Sequence, residues 1–378
     1  MAESESEALA GRRGGWGRTF ESLSVPQYRV LFSSSFLLFA ALQMTVVARP
    51  WLAYDVSDSA LSLGFVAAAQ GVAMLVASPF AGVAADRLPK RSVLLALAHG
   101  GSVPFSMPVR QAYIPELIPR SMMANGVALH STGRNFNQIA APATVGVLLA
   151  FEPVVAFVLI VVLHVISTLI SLRLPIGAPA ATKGRGMTGE LLFGLRYMMG
   201  NPMLRTLIWL ALLAVALGFP YQHLMPVFQK DVFEVGPSRL GFMYSALGTG
   251  ALTASLVVAS FSGLVRKGFP QLLMGIVFGL ALVAFALSPF YLLAVALLFV
   301  TGFASQAYTT MNMTLMMMTA DPALYGRVAS VNMMTRAFMP LAVLPFGAAV
   351  DAYGAPVTVA AGGGRTRSGR PVNWSSQT

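Results

Sequence analysis

The sequence predicts an all-α, polytopic membrane protein built as two similar helical bundles, with part of the plan missing. Three observations predict it: an apolar composition, a series of long apolar runs broken by short charged stretches, and an internal repeat. Of 378 residues, 56% are hydrophobic and 10% charged, and the mean hydropathy is +0.71. A soluble chain has no means of covering that much apolar surface. The absence of cysteine excludes disulfides, thiol catalysis and thiolate metal sites. The net charge of +11 does not argue for nucleic acid, because the Lys and Arg residues fall in short loops between apolar runs. Cytoplasmic loops of membrane proteins collect cations in that way.

Met1–Phe20 is polar, with Glu3, Glu5, Glu7, Arg12, Arg13 and Arg18, and reads as a disordered cytoplasmic tail without a cleavable signal. Val30–Ala48 is the first apolar run; its 19 residues match the ~20 that cross a bilayer as helix. Arg49-Pro50 is expected to end it, with Arg49 as an interfacial anchor and Asp55 and Asp58 in the loop that follows. Leu61–Ala85 is the second run, and it abuts the charged stretch Gly82-Val83-Ala84-Ala85-Asp86-Arg87-Leu88-Pro89-Lys90-Arg91, expected as a membrane-surface loop. Only 17 residues, Ser92–Pro108, then separate the cations at Lys90 and Arg91 from Arg110, too few for two crossings of ~20 residues each. A re-entrant or surface segment is expected there. Further runs follow at Met122–Ala150, Val154–Leu172, Leu207–Phe228, Leu240–Leu264, Phe269–Leu287, Phe290–Thr310 and Val328–Val350. Prolines 142, 220, 226, 340 and 345 lie inside them; spans tolerate proline where neighbours satisfy the freed backbone. The polar, basic stretch Arg173–Pro202 reads as a cytoplasmic linker.

The halves resemble each other. Leu63-Gly64-Phe65, Ala69, Gly71, Leu75, Ala77 and Ser78 recur as Leu240-Gly241-Phe242, Ala246, Gly248, Leu252, Ala254 and Ser255, all offset by 177. Arg134, Phe136 and Ala140 recur as Arg336, Phe338 and Ala342, offset by 202. The offsets differ by 25, so the first half lacks about that many residues between Arg91 and Arg134. At the second offset a last span should occupy residues 356–374, yet Gly362-Gly363-Gly364-Arg365-Thr366-Arg367 is no membrane helix. The expected organisation is therefore a tail (1–29), an N-terminal bundle (30–173), a linker (174–202), a C-terminal bundle (203–354) and a disordered or aberrant end (355–378).

The pattern G-x-x-x-D-R-x-x-[KR]-R at 82–91 resembles the signature loop of the major facilitator superfamily of secondary transporters, with Pro89 where that family usually has Gly. Pro108-x-Arg110-Gln111-Ala112-x-Ile114-Pro115-Glu116-Leu117 and Gly194-Leu195-Arg196-Tyr197-Met198-x2-Asn201-Pro202-x-Leu204-Arg205 resemble segments of its drug and siderophore exporter branch. The resemblance implies a twelve-span plan of two pseudo-symmetric bundles, here incomplete. It also implies a small-molecule substrate, alternating access, proton-driven export and a multi-pass place in the cell inner membrane. In that family the signature loop latches the two halves, a role that would fall to Gly82, Asp86, Arg87, Lys90 and Arg91. An ordinary solvated loop is the other reading. The acids Asp55, Asp58, Glu152, Asp231, Glu234 and Asp351 fall on the side opposite the basic loops, apart from Lys230 and Arg239, and that asymmetry sets the N-terminus on the cytoplasmic side.

Arg134 and Arg336 lie within apolar runs and read either as cavity or gate residues or as cations snorkelling to the surface. Gln43, Asn137 and Gln138 are further cavity candidates, with helix-to-helix hydrogen bonding as the alternative. No Asp or Glu lies deep in a run, which leaves His130, His164 and His223 for proton coupling. His223, between Pro220 and Pro226, is preferred; a structural role is the alternative for each. The cluster Met311, Met313, Met316, Met317 and Met318 reads as packing, or as adaptable apolar surface for a ligand. No enzyme motif is present, and no catalytic residue, metal site, cofactor, nucleic-acid partner or oligomer is expected. A transport-incompetent, truncated remnant of such a transporter is the alternative function.

Overall fold

The computed structural model describes residues 21–87, 110, 113–114, 117–119, 122–175, 195–260, 268–321, 324–325, 328, 331–332, 335 and 338–361. Every regular element among them is helical. In chain order these are α1 (Pro26–Ser57), α2 (Ala60–Arg87), α3 (Met123–Phe151), α4 (Pro153–Ser171), α5 (Pro202–Val232), α6 (Pro237–Ser260), α7 (Gly268–Ala286), α8 (Tyr291–Thr319), α9 (Met339–Tyr353) and α10 (Ala355–Ala361). Six helices among the described residues are long and apolar enough to cross a membrane: α1 and α4 to α8. Helices are the natural outcome, since only they satisfy every backbone group within one segment in lipid. The chain is a multi-pass membrane protein.

Several boundaries differ from expectation for physical reasons. Pro50 does not end α1, which runs on to Ser57 and takes in Arg49 and Asp55. The turn falls instead at Asp58, whose φ of 48° a short polar side chain tolerates. The stretch 82–87, expected as loop, is the end of α2. Its Ala-rich sequence favours helix, and the first breaker is Pro89. The proposed re-entrant segment and the cationic tail lie outside the described residues. At the chain end α10 forms at 355–361, ahead of the expected break at Gly362, with Ala355, Val359 and Ala360 buried. α8 runs past Thr310 to Thr319 and so contains the methionine cluster. Met316 is fully buried against Met198, Leu204, Leu207 and Val328, so that residue is packing.

α5 is not uniform. Two π-helical turns, Ala214–Gly218 and Phe228–Val232, flank the α-helical piece Tyr221–Val227. Pro220 and Pro226 each withhold an N–H from the ladder, and the carbonyl four residues before Pro226, Gln222 O, is taken up by Tyr244 OH.

The chain divides into two compact units: 1–44, 77–141 and 157–183, and 45–76, 142–156 and 184–378. These units are contact clusters rather than the repeated halves: parts of α1, α2 and α3 and the start of α4 join the second unit. The first unit has an apolar core of Tyr28, Leu31, Tyr113, Ile114, Ile118, Leu129 and Leu174. In the second, α6 packs closely on α8 where Gly250 and Gly302 admit the facing backbone.

Candidate functional site

The repeat is built into the second unit as two helix crossings of like design. Where α2 meets α9, a Cβ on Gly64 would stand 2.8 Å from Leu344 Cα. Where α6 meets α3, a Cβ on Gly241 would stand 2.4 Å from Pro142 O. Gly241 is offset from Gly64 by 177 and Leu344 from Pro142 by 202, the same two offsets as in the sequence. Flanking residues agree. Leu63 and Leu240 are 2% and 0% exposed, and Phe65 and Phe242 are 60% and 50% exposed. Small residues at such crossings let backbones approach closely, which is how membrane helices gain packing energy without a hydrophobic drive between them. Gly347 closes on Ala60 O, and at the other crossing Gly146, one residue out of the 202 register, closes on Pro237 O, the counterpart of Ala60.

Polar contacts gather at one end of these helices. Asp351, at the end of α9, accepts from Ser59 Oγ at 2.6 Å, Ala60 N at 2.7 Å and Leu61 N at 3.0 Å. It thus caps the N-terminus of α2, where otherwise unpaired N–H groups and the helix dipole favour an anion. Tyr54 of α1 donates to Asp231 at the end of α5, and Lys230 pairs with Asp58. Arg49 Nη1 donates to Gln70 Oε1 at 2.9 Å, so its partner is α2. None of these pairings was legible in sequence. Asp58, Asp231 and Asp351 stood out only as acids collected on one side.

Of the expected cavity residues, Gln43, Arg134, Asn137 and Gln138 fall in the first unit. Arg134 is exposed, and Gln43 and Gln138 are half-buried. Asn137 is buried and donates both amide hydrogens, to Phe36 O at 3.0 Å and Gly133 O at 3.1 Å. It ties α3 to α1. Arg336, Lys90 and Arg91 lie outside the described residues, as do the side chains of Asp86 and Arg87. Gly82 lies in the last turns of α2.

His223 sits in the second unit, half-buried on the short piece of α5 between its two π turns. Beside it Tyr221 is buried with its hydroxyl unpartnered, and Gln222 O accepts from Tyr244 OH of α6. π turns break the regular spacing of a helix and turn polar groups inward, which is why they recur at working sites. His164 is bound through Nδ1 to Ile160 O at 2.9 Å, within α4.

An apolar cavity of about 290 Å³ lies between α5, α7, α8 and α10, lined by Leu213, Leu217, Gly275, Gly279, Tyr308 and Val359 among others. Among the described residues no cluster of His, Asp or Glu is arranged to hold a metal ion.

The profile of the transmembrane secretion effector family matches residues 94–364. The chain is 25% identical to the staphyloferrin A transporter of Staphylococcus aureus (strain NCTC 8325 / PS 47), over 86% of this chain and 90% of that one. It is 27% identical to the multidrug efflux pump Tap of Mycolicibacterium fortuitum, over 85% and 90%. The first alignment runs over 361 positions, but 86% of 378 is about 325 residues, so about 36 positions have no counterpart here. Among solved structures, the nucleoside transporter NupG shares the fold with a TM-score of 0.73 at 16% identity, over 89% of this chain and 95% of that one. The chain belongs to the transmembrane secretion effector family, within the major facilitator superfamily of membrane transporters, and is not an enzyme.

Proposed function

We propose that the protein is a secondary active transporter that exports a small amphipathic molecule, driven by the proton gradient and working by alternating access. The pair of twin crossings carries this reading. Two helix pairs of the same design join the sequence halves through small residues and one cap. Crossings of that kind bring the two repeats together at matched places, where rocking of one repeat against the other would part them. We place these crossings at the outer face, with the N-terminus cytoplasmic, because Asp58, Asp231 and Asp351 gather there. Asp86, Arg87, Lys90, Arg91 and Gly82 form the latch on the inner face. Gln43, Arg134, Asn137, Gln138 and Arg336 line the substrate path. His223 carries the proton, on the irregular part of α5. The protein acts as a monomer in the cell inner membrane, and its domains follow the sequence halves at 30–173 and 203–354. The names of two relatives support a siderophore or a drug as cargo.

A second reading, a transport-incompetent remnant, is favoured by the 25-residue difference between the two repeat offsets. Counterflow in proteoliposomes separates the two. Exchange of at least one labelled compound from a panel of siderophores and drugs is expected; no exchange across the panel supports the remnant. His223→Gln is expected to keep counterflow and to lose transport driven by a pH gradient. Equal loss of both contradicts the role given to His223.

A further inference from the structure

The first unit holds a buried cation that the transport reading does not use. Arg110, ahead of α3, is 3% exposed. Its Nη1 donates to Ser34 Oγ at 2.8 Å and Ser35 Oγ at 3.0 Å on α1, and its Nη2 to Ser171 Oγ at 3.3 Å at the end of α4. These acceptors are neutral. Two of them already donate elsewhere, Ser34 Oγ to Leu31 O and Ser171 Oγ to Ser167 O. These bonds use three of the five N–H groups, and Nε is buried with no partner among the described residues. Among the described residues no carboxylate lies within ion-pair distance of the guanidinium. An ion withdrawn from water without a counter-charge is expensive, and an unmade hydrogen bond adds to that. Burial pulls the guanidinium down to about 10, so it keeps its charge at neutral pH.

A second orphan lies in the same bundle. His130 of α3 is 5% exposed, its Nδ1 is buried and unpaired among the described residues, and its ring stands edge-on to Phe39 at 5.3 Å. Ser35, which holds Arg110, and Phe39, against which His130 packs, stand one turn apart on the same face of α1, so the two orphans are neighbours. Nε and Nη2 share one edge of a guanidinium, the edge that grips two oxygens of one anion side by side. On Arg110 that edge carries the unused Nε–H and the longest of the three hydrogen bonds.

We propose that Arg110 and His130 form a buried oxyanion site: the Nε/Nη2 edge grips two oxygens of a carboxylate or phosphate group, and the His130 imidazole supplies a third donor. The group arrives either on a free solute or as the headgroup of an anionic lipid. The site does not depend on the transport reading.

The test uses the full-length protein in phosphatidylcholine nanodiscs, heated with inorganic phosphate or with sodium chloride at equal ionic strength. A saturable rise of the melting midpoint with phosphate is expected. Arg110→Gln should abolish it, and His130→Phe should raise the half-saturating concentration about tenfold, as for one lost charge-assisted hydrogen bond. No rise beyond that in chloride, or an equal rise in Arg110→Gln, overturns the proposal. Should Arg110→Gln fail to fold, Ser171→Ala keeps the charge and frees Nη2 on the gripping edge. Tighter half-saturation is then expected, and an unchanged or absent response overturns the site. Phosphatidylglycerol nanodiscs identify the source. A higher starting midpoint with no further gain from phosphate supports a headgroup occupant; an undiminished gain supports a free anion.

Discussion

The crossing of α2 on α9 and that of α6 on α3 share a backbone plan and differ in chemistry. Each sets a glycine of one helix against the backbone of the other. Only the first is also held by charge, through the carboxylate of Asp351 on Ser59, Ala60 and Leu61. At the twin place, every part of that cap is missing. The residue in the position of Asp351 is Leu149, buried at 2% exposure. Gly236 stands for Ser59 and offers no hydroxyl, and Pro237 stands for Ala60 and has no N–H. A carboxylate there would be buried with little to accept from. The twin instead closes tighter, with Gly146 and Gly241 meeting backbone to backbone. One plan is thus held in two ways, by shape alone and by shape with a cap that water and salt can reach.

Breaking shape should have the largest effect. Gly241→Val puts atoms 2.4 Å from Pro142 O, a backbone atom with little freedom to yield. A loss of about 3 kcal/mol or more is expected, read as a lower melting midpoint in detergent or as failure to purify in one species. Removing the cap should come second. Asp351→Leu is expected to lose about 1–2 kcal/mol, and Asp351→Asn less, since it keeps an acceptor. If Asp351→Leu matched Gly241→Val, the cap would outweigh shape and the comparison would reverse. The smallest effect belongs to the exposed ion pair. Lys230→Ala should stay within about 0.5 kcal/mol. That difference should shrink further in high salt, in the same melting assay.

The repeat was legible because small and apolar residues recur where two crossings demand the same close approach; Gly64 and Gly241 are an instance. Helix ends were less so. Pro50 read as a stop because a proline withholds one N–H, yet a long spanning helix carries that loss. The role of Asp351 was hidden because its partners at 59–61 lie in the other half of the sequence. A cap normally announces itself within one turn of its own helix. Arg110 read as a loop cation for a similar reason: the serines that receive it come from two other helices.

The central claim, that the sequence halves meet where α2 crosses α9, is open to one direct measurement. The chain has no cysteine, so a single engineered pair reports without interference. A Cβ on Gly71 would lie 3.0 Å from Pro340 Cβ, close to the spacing of a disulfide once the helices relax slightly. In the double variant Gly71→Cys/Pro340→Cys, with a protease site added to the linker, oxidation should keep the two cut halves joined on a non-reducing gel. Reductant should then release them. Halves that separate completely without reductant would contradict the account.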